Sequence, residues 1–184
     1  MPSFQVQPCT EADIPRVFEI ISLAFDHDHE YMDSIFPAHD ALEGRSVGAE
    51  RILQIFHGDP YGHFMKVVDT DTGIVAGAAK WNIYEKGVIP PQPAIDGNYW
   101  KSEEDKEFAQ ALFQGFFAPR QKIIEETNGE LAVVEGSERG RRLYASEGFN
   151  GAHYVVPVPD KFAGRRKQTY HFMRRPAQSK AKTP

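Results

Sequence analysis

The sequence predicts an α/β fold (α+β in some schemes) built as a single domain. Three observations predict it. Short runs of strand type recur at 4–7, 63–69, 74–84, 131–134, 149–156 and 168–173. Apolar residues at helical spacing fill 14–25, 43–56 and 103–127. The two patterns interleave along a chain of 184 residues, 41% of them apolar, long enough for one domain with a real core.

The elements follow in order. Phe4-Gln5-Val6-Gln7 alternates and opens the chain as a strand. Thr10 and Asp13 stand at capping-box spacing, with Asp in the place usually held by Glu or Gln. Alternatively Asp13 is itself the cap, which puts Pro15 in the first turn, where its missing amide costs little. Ile14, Val17, Phe18, Ile21 and Phe25 then share a helical face. Residues 26–37 are acidic and carry His27, His29 and Glu30. His-x-His followed by an acid can chelate a metal. No third and fourth ligand stands out in the sequence, so the segment reads as a solvated helix end or loop, and no metal site is assigned.

A second amphipathic helix over 43–56 turns Val47, Ile52, Ile55 and Phe56 inward, and Gly58-Asp59-Pro60 stops it. A hairpin follows, with its turn at 69–73. Residues 85–102 form a loop with Pro90, Pro91, Pro93, Tyr99 and Trp100, and a loop of that length is commonly a functional lid or a mobile segment. The helix over 103–127 puts Phe108, Ala111, Leu112, Gly115 and Phe116 on one face, and Pro119 is expected to kink or divide it. Asn128-Gly129 ends it. The domain is expected to span 1–174, with 175–184 a disordered basic tail.

Composition narrows the function. The net charge of −5 argues against nucleic acid as a main partner. Cys9 is the one cysteine, so no internal disulfide forms, which suits a reducing compartment. No signal-peptide pattern and no membrane-length apolar run is present, and the expectation is a cytoplasmic protein.

The most informative stretch runs Glu135-Gly136-Ser137-Glu138-Arg139-Gly140-Arg141-Arg142-Leu143-Tyr144-Ala145-Ser146-Glu147-Gly148-Phe149. It reads as strand end, helix, glycine stop and strand. Ser137 can cap the helix, since its hydroxyl can accept from an amide two or three residues on. Gly148 suits the left-handed position that ends a helix, and Phe149 can fold back onto it. The segment resembles the signature of the GNAT N-acetyltransferases in their fungal and small-molecule branch: Glu-Ala-Ser, two residues, Gly, two residues, Leu-Tyr, three residues, Gly-Phe. Gly136 stands where the family has Ala.

The resemblance implies a mixed, mostly antiparallel twisted sheet with helices on both faces. It implies acetyl-CoA as co-substrate and a small-molecule amine or lysine-like group as acceptor. It implies Tyr144 as the proton donor to the departing thiolate, a role that a phenol of pKa near ~10 can fill when held within hydrogen-bond reach. It makes the helix over 103–127 an insertion typical of the fungal branch, and the acidic stretch near residue 30 part of the acceptor pocket. Glu85 is a possible base.

One family feature is missing from the sequence. The resemblance calls for a pyrophosphate loop, Gln/Arg-x-x-Gly-x-Gly/Ala, at a helix N-terminus, where free amides meet the anion. Gly77 with Ala79 alone approaches that spacing, inside a strand. Between 129 and 135 the central strand, its loop and its helix are expected but absent, roughly 25–40 residues from average element lengths. Arg139, Arg141 and Arg142 lie beside Ser137 and Gly140 and offer guanidinium forks for phosphates, or else a solvated helix surface. Two readings follow: an N-acetyltransferase-like protein truncated at its centre, or a non-catalytic binding module of GNAT descent.

Overall fold

The computed structural model describes residues 3–84, 89–127 and 131–176. Glu85, the Asn128-Gly129 helix stop and residues 177–184 lie outside the described residues. The chain divides into two compact units, Met1–Tyr84 and Glu85–Pro184.

The first unit contains β1 (Phe4–Pro8), α1 (Ile14–Phe25), α2 (Glu30–Ile35), α3 (Leu42–Gly58), β2 (Gly62–Asp69) and β3 (Val75–Asn82). The strands pair antiparallel in the order β1-β2-β3, with Val6 opposite Val67 and Met65 opposite Ala79. Thr10 and Asp13 form the box that their spacing predicts. The Asp13 carboxylate accepts from the Thr10 amide at 2.7 Å and from its hydroxyl at 2.8 Å. They head a single 3-10 turn, Glu11–Asp13, that leads into α1, with Pro15 in the first turn of the helix.

α1 buries Ile14, Val17 and Phe18. Its partner α3 receives Phe18 through a glycine: a Cβ on Gly48 would stand 2.0 Å from the Phe18 ring. Of the positions expected to point inward on α3, Ile55 is 40% exposed, while Gly48 is the buried residue of the helix. The contact is made by absence of a side chain, which a hydrophobic period does not register. α2 lies where a loop or helix end was expected. It is only six residues long, and it buries Met32 and Ile35.

The second unit contains α4 (Glu103–Thr127), β4 (Leu131–Gly136), α5 (Arg141–Ser146), β5 (Asn150–Val155) and β6 (Thr169–Pro176). Ser102 caps α4, its hydroxyl accepting from the Asp105 amide at 3.1 Å. Pro119 sits inside α4 without dividing it. The sheet order is β4-β6-β5, again antiparallel. Phe108 and Leu112 of α4 join Val156, Phe162 and Tyr170 in the core. The buried Tyr170 hydroxyl donates to the Phe116 carbonyl at 2.7 Å, which satisfies it without water.

The composition is α+β, as expected. The described strands make two three-stranded sheets, and every described pair is antiparallel. β6 runs on to Pro176, so Arg175, where the tail was expected to start, pairs with Ala132 next to the Arg174–Val133 pair. A basic run at a strand end resembles a tail in composition, but a backbone ladder is indifferent to charge. No described helix is long and apolar enough to cross a membrane.

Candidate functional site

The turn from β4 into α5, with α5 itself, carries Ser137, Arg139, Gly140, Arg141, Arg142 and Tyr144; the possible base Glu85 lies outside the described residues. The local geometry of the turn follows from hydrogen bonds within a few residues. Ser137 opens it: its hydroxyl accepts from the Gly140 amide at 3.1 Å, and its carbonyl accepts from the Arg141 amide at 2.9 Å. Ser137 therefore caps a turn that precedes the helix, and α5 itself starts only at Arg141.

At the other end, Gly148 has φ 83°, the left-handed conformation that favours glycine. The Gly148 amide donates to the Ala145 carbonyl at 3.1 Å, and the Phe149 amide donates to the Tyr144 carbonyl at 3.0 Å. This pair of bonds is the Schellman motif, and the buried Phe149 ring folds back to 5.9 Å from the Tyr144 ring. The sequence reading of this end holds bond by bond.

Tyr144 is half-buried on α5. Its ring rests on two glycines. A Cβ on Gly136 would lie 3.1 Å from the ring, and one on Gly140 would lie 3.2 Å from it. The replacement of Ala by Gly at 136 thus lets the tyrosine settle closer to the end of β4. Gly136 is buried, and Met173 of β6 lies on the same side.

Two residues that sequence reasoning did not single out, Arg120 and His171, join the turn. The Glu135 carboxylate is gripped by the Arg120 guanidinium of α4 through two nitrogens. This signature acid is therefore a structural ion pair. His171, opposite Gly136 in the β4–β6 ladder, hydrogen-bonds Glu138. That contact and the Arg141 guanidinium at 3.2 Å hold the Glu138 carboxyl below its usual range. An imidazole held by a carboxylate can accept or pass a proton. Strand alternation, which puts 171 and 173 on one face, was the available signal for it.

The arginines are arranged loosely. Arg139 and Arg142 are exposed, and Arg141 is half-buried with Glu138 as its partner. Ser137 uses the Gly140 and Arg141 amides, and α5 is only six residues long. What this segment presents is a phenol hydroxyl beside the guanidinium groups of Arg139, Arg141 and Arg142.

No protein-family model matches the chain, and no curated protein matches it. Solved structures do. One is described as histone acetyltransferase HPA2 and related acetyltransferase from Corynebacterium glutamicum. It is 21% identical, covering 98% of this chain and 100% of that one, with a TM-score of 0.52. Another is the C-terminal condensation domain of Ebony, solved with beta-alanyl-dopamine. It is 14% identical, covering 96% of this chain and 100% of that one, with a TM-score of 0.53. At such identities the likeness concerns architecture. The chain has an α+β fold of the GNAT acetyltransferase type.

Proposed function

We propose that this chain is an N-acetyltransferase-like protein of the fungal and small-molecule GNAT branch, acting in the cytoplasm. Acetyl-CoA would supply the acetyl thioester, and a small-molecule amine or lysine-like group would accept it. The observation that carries the reading is the seat of Tyr144, fixed by Gly136, Gly140 and the Schellman end of α5. Tyr144 holds a proton at its hydroxyl for the leaving thiolate. Ser137 and Gly140 set the turn, and Arg139, Arg141 and Arg142 meet the phosphates by charge. The central strand, phosphate loop and helix of the family have no counterpart in the sequence between 129 and 135. Binding is accordingly weak and turnover slow.

Calorimetric titration with acetyl-CoA tests this. A measurable heat that Tyr144→Phe retains, with acetyl transfer reduced by roughly 10²–10⁴-fold, is the expected result for a lost proton donor. No heat at millimolar ligand removes the enzyme reading. The second reading, a non-catalytic binding module of GNAT descent, then stands, with Ser137 holding the Gly140 and Arg141 amides.

A further inference from the structure

Outside the turn just described, one cluster of chemistry-bearing side chains is assembled by the fold. His27, Asp33 and His39 each bring a ligand-type atom within 4.8 Å of the others. They come from the end of α1, from α2 and from the turn before α3. The pair noticed in the sequence is not the one the fold uses. His29 packs on the Phe25 ring at 4.9 Å, and Glu30 accepts a hydrogen bond from Ser34. His39, twelve positions beyond His27 and only 1% exposed, takes the place of the missing third ligand.

The hydrogen bonds around His39 decide its tautomer. The Ser22 hydroxyl lies 2.7 Å from the His39 carbonyl and 3.0 Å from His39 Nδ1. A carbonyl only accepts, so the single hydroxyl proton goes to it, and Ser22 Oγ must accept from Nδ1–H. In the neutral ring the proton is then on Nδ1, and the Nε2 lone pair points at Asp33 Oδ1, 3.3 Å away. Two lone pairs facing each other in a buried corner repel unless a positive charge stands between them. His27 has a matching arrangement. One ring nitrogen, Nδ1, is 2.6 Å from the same Asp33 oxygen, and the other, Nε2, has Asp40 Oδ2 3.6 Å away.

We propose that His27, Asp33 and His39 form a binding site for a divalent transition metal, with Zn²⁺ as its natural fit. Ser22 and Asp40 would orient the two imidazoles from behind. Ligand atoms of a tetrahedral zinc with bonds of about 2.0 Å lie about 3.3 Å apart. Here His39 Nε2 is 3.3 Å from Asp33 Oδ1, His27 Nδ1 would have to move out from 2.6 Å, and all three atoms lie within 4.8 Å. Two imidazoles and a carboxylate suit zinc better than magnesium or calcium. Histidine ligands usually give their second nitrogen to a hydroxyl, carbonyl or carboxylate, as His39 Nδ1 does to Ser22, while Asp40 Oδ2 stands 3.6 Å from His27 Nε2. The metal would clip the chain between α1 and α3 and stabilise the first unit. The site stands apart from the acetyl-transfer reading and does not depend on it.

The test is equilibrium dialysis of the untagged, chelator-stripped full chain against Zn²⁺, with Co²⁺ as a spectroscopic probe. One metal per chain is expected, with visible Co²⁺ bands of nitrogen and oxygen ligation and a rise in Tm. His27→Gln and Asp33→Asn should each weaken binding at least ~tenfold, and Ser22→Ala by ~10–100-fold through lost orientation. His29→Gln should bind as the parent does. His27 is exposed, so its variant folds even if a change at buried His39 does not. Absence of retained metal, or uptake that His27→Gln and Asp33→Asn leave unchanged, overturns the proposal.

Discussion

The two sheets of this chain are built alike and finished differently. In the sheet β4-β6-β5, one face carries Tyr170 and Phe172 against α4, and the other carries Gly136 and Met173 beneath α5 and its Tyr144. Both faces bury side chains there, although β5 at the edge leaves Val155 46% exposed. In the sheet β1-β2-β3, Phe64 and Lys66 face the helices, Lys66 donating to both Asp13 oxygens at 2.7 and 2.8 Å. The opposite face shows Phe4, Val6 and Trp81, which are 56%, 65% and 52% exposed. The same strand alternation thus yields a core in one place and an open apolar face in another. Pattern says which residues share a face, and packing says whether that face is buried.

The comparison can be broken at its strongest point first. Phe108→Ala empties the core beneath β4-β6-β5 and should cost about 3–5 kcal/mol in urea unfolding. A loss below 1 kcal/mol would mean that this face is far less closely packed than its contacts imply.

Next comes Gly148→Ala, which forces a side chain into φ 83° and should cost about 1–2 kcal/mol. If Tyr144 depends on that turn for its position, acetyl transfer falls more steeply than stability does. Equal falls would separate Tyr144 from the turn.

A smaller effect concerns the covered face of the first sheet. The Lys66 ammonium, with the Thr10 amide, lowers the Asp13 carboxyl from 3.8 to about 2. A depressed carboxyl contributes stability that is complete above pH 4 and is lost as pH falls through 2. Asp13→Asn should remove this segment of the acid-unfolding curve. An unchanged slope between pH 4 and 2 would show that the pair does not matter.

The smallest effect is expected on the open face. Val6→Thr should stay within about 0.5 kcal/mol, as surface changes do. A cost above 1 kcal/mol that depends on protein concentration would mean that another molecule covers this face in solution.

Legibility in the sequence followed the range of the interactions. Thr10 with Asp13, Ser137 with Gly140, and Gly148 with Phe149 were readable because each motif closes within a few residues and leaves a spacing behind. Glu135 was quoted within the signature, but its partner Arg120 stands 15 positions away on another element. His171 reaches the Ser137 turn only because β6 lies beside β4. α2 was missed because six residues are too few to show a helical period. Arg175 read as the start of a tail because composition does not reveal a ladder partner.

The sequence by itself determined the order and type of the main elements, the caps and stops at their ends, and the seat prepared for Tyr144 between two glycines and Phe149. Those are matters of backbone hydrogen bonds and steric limits over a handful of neighbours. Only the tertiary structure decided which sheet face is covered, that Glu135 is an ion-paired strut, and that His39 rather than His29 meets His27 and Asp33. Each of these depends on groups that the chain brings together from different elements, and burial, which sets the strength of every such contact, is a property of the packed whole.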